Sequence, residues 1–528
     1  MNKRTQRYAP FLAAGLAATT LLTGCGTDQG SAEGPTGEVV VGMSDAVLAT
    51  DPAAGYDPGS WLLFNNVFQS LLSFPKGGTQ PEPDAAEECG FTDAHTRVFS
   101  CTLRSGLKFS NGNALTSKDV KFSFDRTREI NAADGPAAAM LSSIDHIETP
   151  DARTVVFRLK VPDATFPSKI ASGAGSIVDH REYPYDRLRS DDKAVGSGPY
   201  TLESFGDNQS VFKANTKYRG PAERKNSSVT LKFFHDDQKK LKQAVLDGDI
   251  DVAYRGLAAE DIADIQRKGD ESGVEVVEGS SAEVQHLVFN MDHPVVGKPG
   301  VRKALAYLLD RDALVEQVYD GTATPLYSII PSGITGHSTP FFDTYGARPQ
   351  RDKAAAALRE EGIRGKVELT LWATPSRYGP ATVQEFKAIA GQLNDSGLFD
   401  AKVESVPFEQ YEKDIKDGKY GVYVKGWVPD YPDPDNFTQP FFGHDNVLQN
   451  NYTNNKITDR ILPGTAAVSE RSATAKDFGE LQEIVAEELP ILPVWQGKQY
   501  AVTSDRVTGV EWCLDASTVF RFWELEKH

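Results

Sequence analysis

Four cysteines and nine histidines among 528 residues leave a zinc site without its parts. No Cys-x₂-Cys pair occurs, and no two histidines stand at ligand spacing. Asp247, Asp249 and Asp251 open with the spacing of a calcium loop but lack its glycine at position six and glutamate at position twelve. Catalytic strings are missing too: there is no Gly-x-Ser-x-Gly, His-Glu-x-x-His, Gly-x-x-x-x-Gly-Lys-Ser/Thr or Gly-x-Gly-x-x-Gly. His235-Asp236-Asp237 reads as a surface turn at a strand end. Positive charge is outnumbered, 56 Lys and Arg against 74 Asp and Glu, for a net charge of −18. That balance argues against nucleic acid, which needs clustered Lys and Arg. The densest basic group, Lys239, Lys240 and Lys242, reads as a solvated helix face. No metal or other cofactor is expected.

What is present begins with an export signal. Lys3, Arg4 and Arg7 precede an apolar stretch, Tyr8 to Leu22, that is too short for a stable membrane span. Leu22-Thr23-Gly24-Cys25 follows and resembles the lipobox of bacterial lipoproteins. The resemblance implies cleavage before Cys25 and a diacylglycerol on its thiol, an anchor that needs no spanning helix. Losing residues 1–24 would take the net charge from −18 to −21. Residues 25–37, rich in Gly, Ser, Thr and acids, read as a flexible tether.

An exported chain can keep disulfides. Cys89 and Cys101 flank what reads as a hairpin turn and its return strand, so a bridge is the favoured reading, with two buried free thiols as the alternative. Cys513, in Val510-Glu511-Trp512-Cys513-Leu514, reads as a buried small hydrophobe.

The body alternates strand and helix patterns. Glu38 to Met43 is a strand. Trp61, Leu62, Phe64, Val67, Phe68, Leu71 and Leu72 follow helical spacing. Val98 to Leu103 is a strand, Asn111-Gly112 a turn, and Thr116 with Asp119 a capping box opening a helix. Val301, Leu305, Leu308 and Leu309 share one helix face. Asp312 reads as the next N-cap and Gly321 as the close of that helix. Helices are also expected over 352–361 and along Val383, Phe386, Ile389 and Leu393. Strands are expected at 367–371, 403–406 and 422–424. Such alternation predicts α/β lobes with buried sheets.

The string from Val98 to Phe124, centred on Gly106-Leu107-Lys108-Phe109-Ser110-Asn111-Gly112, closely resembles the signature of the family 5 extracellular solute-binding proteins. These are the dipeptide, oligopeptide and nickel receptors of ABC importers. Further matches follow in family order: Gly196-Ser197-Gly198-Pro199-Tyr200, Leu246 to Asp251, Phe289-Asn290 with Val301 to Leu305 and Asp310-Arg311, then Gly426-Trp427 with Asp430-Tyr431-Pro432-Asp433-Pro434. The resemblance runs from about residue 38 to 522.

It implies a two-lobe, type II (cluster C) periplasmic-binding-protein-like α/β fold with an extra subdomain on the first lobe. Lobe I would comprise 38–72, 197–285 and 495–528, with the accessory subdomain at 73–196 and lobe II at 286–494. The chain would cross between lobes near 285 and 495. It also implies a receptor, not an enzyme, that captures short peptides as a monomer and hands them to a membrane permease with a cytoplasmic ATPase. A non-peptide solute such as a nickel complex, oligosaccharide or siderophore is the second reading, and a secreted hydrolase a minor third. The expected location is the outer face of the cytoplasmic membrane, or the periplasm.

In residues 429–436 three carboxylates alternate with three prolines, which fix φ and stiffen the loop. By the resemblance, Asp430 binds a peptide's α-ammonium, Trp427 and Tyr431 line the cleft, and Asp433 and Asp435 build the turn. Thr374 to Pro380 resembles the dipeptide-receptor segment Arg-Pro-Tyr-Asn-Pro, which implies that Arg377 grips the peptide carboxylate. The segment here is one residue shorter and has Gly in place of Asn.

Overall fold

The computed structural model describes residues 37–132, 137–235, 237–374, 381–444 and 446–528. The expected signal segment, Cys25, nearly all of the tether, Asp236 and Arg377 lie outside the described residues.

Val39 and Val41 of β1 (Glu38–Met43) are fully buried. They sit between two parallel neighbours, β8 (Ser228–Phe233) and β9 (Val252–Tyr254). An almost unbroken apolar run is what a strand covered on both faces requires. β6 (Tyr200–Phe205) and β7 (Gln209–Ala214) extend the sheet antiparallel beyond β8. The other half holds β12 (Val367–Ala373), β13 (Phe399–Ser405) and β14 (Val422–Trp427), with β12 parallel to both of its neighbours.

Two long strands join the halves: β10 (Val274–Phe289) and β15 (Ile491–Ser504). They pair antiparallel along most of their length, β15 reaching β9 on one side and β10 reaching β14 on the other. The sheet order is therefore β13-β12-β14-β10-β15-β9-β1-β8-β7-β6, with short β11 (Ala323–Pro325) added to β15. Residues 285 and 495 fall within the two joining strands and are themselves paired. The α/β, two-lobe arrangement is thus present.

A separate antiparallel sheet, β2 (Ala86–Phe91), β3 (Val98–Leu103), β5 (Thr154–Leu159) and β4 (Ile144–Glu148), builds the extra subdomain around its own apolar core of Phe99, Phe124, Phe157 and Phe166. Cys89 and Cys101 are directly opposite on β2 and β3 and are joined by a disulfide. Cys513 is free and buried, and burial pushes its thiol up to about 12.

Helix boundaries follow local chemistry. α1 (Pro58–Val67) starts on Asp57, whose carboxylate accepts from the Ser60 N–H at 2.8 Å. The apolar pattern continues to Leu72, yet the helix stops at Val67 because Phe68 is extended. Gly196 and Gly198 explain the stop: a Cβ there would lie 2.1 Å from the Val67 carbonyl oxygen or 2.6 Å from its carbon. The Gly-Ser-Gly-Pro-Tyr motif is a backbone-on-backbone contact.

α2 (Ser117–Ile130) carries the expected capping box, the Thr116 N–H donating to Asp119 at 2.8 Å. Its Arg126 forms a buried, two-pronged pair with Asp51 at 2.8 and 2.6 Å. α3 (Pro299–Leu308) precedes α4 (Arg311–Tyr319), and here the expected caps shift. Asp310, not Asp312, accepts from the Ala313 N–H at 3.0 Å. A side chain three residues before that N–H reaches it, and Asp312 sits in the first turn. At the far end Asp320 takes the left-handed conformation with Gly321 following. α5 (Arg351–Glu360), α6 (Ala381–Asp395) and α7 (Ala475–Glu488) pack on the same apolar core as α3 and α4.

Candidate functional site

The acidic, proline-rich loop leaves β14 at Trp427 and turns back through a short 3₁₀ turn, Pro434–Phe437. Asn436 organises it. Its Oδ1 accepts from the Trp427 indole at 2.9 Å and from the Asp430 N–H at 3.1 Å, and its amide donates to Asp430 Oδ2 at 3.4 Å. Asp433 caps the turn by accepting from the Asp435 N–H at 2.8 Å. It also receives two bonds of 2.8 Å from Arg471, a pair whose side chains are each only 4% exposed. Asp435 is buried beside it, and burial pushes its carboxyl up to about 6 against the pull of Lys169.

Asp430 is half-buried, and the hydroxyl of Tyr56, just before α1, donates to its Oδ1. Burial holds the Asp430 carboxyl above the ordinary range, while the bonds from Tyr56 and Asn436 work against that rise. Trp427 is half-buried, edge-on to Phe441 at 5.3 Å. Tyr431 points elsewhere; only 6% exposed, it belongs to the accessory core with Phe166 and Ile170.

Beside this loop lies a cavity of about 440 Å³ lined by residues from both halves of the sheet. Val428 lines it from the loop; Asp45, Tyr254 and Arg255 line it from the half of the sheet around β1, and Glu283 and Trp495 from the joining strands. Arg255 donates to Asp45 at 2.5 Å and holds a positive φ of 57° immediately before Gly256. Strained non-glycine backbone of this kind concentrates at binding sites. Tyr319 and Trp495 form an aromatic wall, ring centres 4.9 Å apart, and behind it Glu385 is fully buried. Glu385 Oε2 accepts from Tyr319 at 2.7 Å, from Trp495 at 3.4 Å and from Gln285. Burial pushes its carboxyl up to about 7.

Sequence reasoning singled out Asp430 and Trp427, which share Asn436. It missed Tyr56, Asn436, Glu283 and Glu385. Asn436 ends the same acidic run and was legible as a loop-bracing amide; the others come from distant segments and carry no local pattern. Among the described residues one trio has metal-ligand spacing, Asp119, Asp179 and His180, with ligand atoms within 4.8 Å of one another. Arg181 already donates to both aspartates, at 2.5 Å to Asp179 and 3.4 Å to Asp119. A guanidinium thus supplies the positive charge there.

Residues 80–449 match the family described as bacterial extracellular solute-binding proteins, family 5, middle region. The probable D,D-dipeptide-binding periplasmic protein DdpA of Escherichia coli is 25% identical over 490 residues, covering 90% of this chain and 91% of that protein. Heme-binding protein A of Haemophilus influenzae is 26% identical over 508 residues, covering 90% and 88%. Among solved structures, the periplasmic binding protein DppA of Helicobacter pylori in complex with the peptide STSA superposes with a TM-score of 0.74. It is 22% identical, and the match covers 93% of this chain and 98% of that one.

Proposed function

The chain belongs to the family 5 bacterial extracellular solute-binding proteins, and from that premise we propose that it captures short peptides and delivers them to the permease of an ABC importer. The observation that carries the reading is Asp430: a desolvated carboxylate at the cleft, braced by Tyr56 and Asn436 and flanked by Trp427. Such a group suits an α-ammonium, which a buried anion pairs with by charge-assisted hydrogen bonds. Peptide recognition by a dipeptide-binding relative and by a peptide-complexed structural neighbour supports the same class.

In this reading lobe I is 38–72, 197–285 and 495–528, the accessory subdomain 73–196, and lobe II 286–494. The lobes close on the ligand by rotation about β10 and β15. Arg377 meets the peptide carboxylate and Trp427 lines the cleft at the ammonium end, while Tyr431, packed in the accessory core, anchors the loop that carries Asp430. The protein acts as a monomeric transport component, not a catalyst. No helix among the described residues is long and apolar enough to cross a membrane. Lipid on Cys25 holds the chain at the outer face of the cytoplasmic membrane, a reading supported by Leu22-Thr23-Gly24-Cys25.

Calorimetry with a dipeptide series tests the reading. Free peptides are expected to bind and their N-acetylated forms to bind at least about tenfold more weakly. Equal affinity for both forms would remove the ammonium from recognition and favour a non-peptide solute.

A further inference from the structure

The cavity beside Asp430 has an unusual charge balance. Its two lining cations are already engaged: Arg255 with Asp45 at 2.5 Å, and Lys498 with Glu278 at 3.0 Å. Glu283 also lines the cavity, and among the described residues its carboxylate accepts no hydrogen bond and pairs with no cation. Burial holds its carboxyl above the usual range, with the charge of Arg255 acting in the opposite direction.

The backbone is shaped for this side chain. Glu283 ends an irregular stretch of β10 in which residues 281–283 interrupt the pairing between Ser280–Lys498 and Val284–Gln496. Bulges of this kind re-aim a side chain. Gly497 faces that stretch, and a Cβ there would lie 3.4 Å from Glu283 Oε2 and 3.6 Å from Trp495 Cζ3. Glycine therefore keeps open the gap between carboxylate and indole.

A second carboxylate acts through the same wall. Glu385 lies behind Tyr319 and Trp495, and its Oε1 is buried without any partner. Tyr254 and Tyr500 bring the cavity's aromatic side chains to four. Two under-compensated carboxylates around aromatic faces make an environment that attracts a cation and disfavours an apolar or anionic group.

We propose that this cavity is a side-chain subsite for a basic residue of the ligand, taking an alkylammonium or guanidinium group. Glu283 is its direct partner, and Glu385 a positioning residue that sets the potential of the aromatic wall. The proposal rests on the peptide reading above and narrows it to peptides bearing a cationic side chain.

The test is calorimetry of the purified full chain with Ala-Lys and Ala-norleucine, whose side chains differ in the terminal ammonium, and with cadaverine alone. Ala-Lys is expected to bind about tenfold or more tighter than Ala-norleucine. In Glu283→Gln the ratio should fall to about twofold or less, with thermal melting confirming that the variant is folded. Equal binding of the two peptides by the unmodified protein overturns the subsite, as does a preference that survives in Glu283→Gln. If neither peptide binds but cadaverine does, and loses affinity in Glu283→Gln, the subsite stands and the peptide reading falls. If cadaverine fails as well, both fall.

Discussion

The phenol of Tyr56 donates to the carboxylate of Asp430, linking the segment before α1 to the loop after β14. One oxygen of Asp430 thus holds a neutral donor and the other only the longer contact from Asn436 at 3.4 Å. An incoming ammonium can join this arrangement without displacing Tyr56, since each carboxylate oxygen accepts more than one bond.

Asp430→Asn keeps the side chain's size and removes its charge. Affinity for free-amine peptides is expected to fall about tenfold or more by calorimetry, with melting temperature little changed. The pH dependence follows from the raised Asp430 carboxyl. Ammonium binds the ionised form, so affinity should decline as pH falls through a range above that of an exposed aspartate, about 3.9. Asp430→Asn should abolish that decline. A wild-type affinity that stays level down to pH 4 counts against a direct Asp430–ligand pair.

The acidic loop shows how far the sequence could be read. Its prolines and carboxylates were legible as a stiff turn, and Asp430 could be set apart from Asp433 and Asp435 only through the family motif. What escaped reading was made by tertiary contact. Tyr56 is 374 residues from Asp430 in the chain, and Glu385 is 100 from Gln285. Nothing local distinguishes Glu385 from a solvated helix acid, since α6 simply carries it on its inner face beside Phe386 and Ile389. Secondary structure was more accessible because capping and periodicity are local, as Thr116 with Asp119 shows. The displaced cap at Asp310 marks the limit, two acids separated by one residue being equivalent by composition alone.

Glu385 makes a stability prediction. Its carboxyl is raised to about 7 in the folded protein, against about 4.3 in an unfolded chain. The folded state therefore binds more protons. Glu385 contributes stability that is fully present below about pH 4 and is lost as pH rises through 7. Glu385→Gln cannot ionise and should be more stable than the parent at pH 8, by a margin on the order of 3 kcal/mol at most. Urea unfolding at pH 5 and pH 8 checks this. A variant less stable than the parent at both values would show that the carboxylate's bonds to Tyr319 and Trp495 outweigh its desolvation.

The Cys89–Cys101 bridge closes a short loop on the accessory sheet, the two residues being 12 apart in sequence. In the chain-entropy picture a loop of that size contributes about 2–3 kcal/mol. Replacing both cysteines by serine should lower unfolding stability by that order while leaving peptide affinity within about twofold, because the hairpin makes no part of the cavity lining. A large loss of affinity would mean that the accessory subdomain shapes the cleft.

Asp433→Ala and Asp51→Ala separate the scaffold from the site. Both remove the acid of a buried, two-pronged arginine pair, Asp433 with Arg471 and Asp51 with Arg126. Each leaves a guanidinium buried without its charge partner, a loss of about 3–5 kcal/mol. Their positions differ. Asp433 caps the turn that holds Asn436 and, through it, Asp430 and Trp427, whereas Asp51 ties the segment before α1 to α2. Similar drops in stability are therefore expected from urea unfolding, but Asp433→Ala should weaken peptide binding by about tenfold or more, and Asp51→Ala, which reaches Asp430 only through the segment carrying Tyr56, by clearly less. If the two variants lose affinity equally, the loss reflects a loosened protein and Asp433 has no positioning role. If Asp433→Ala loses clearly more, the pair with Arg471 is what holds Asp430 in place for the ligand.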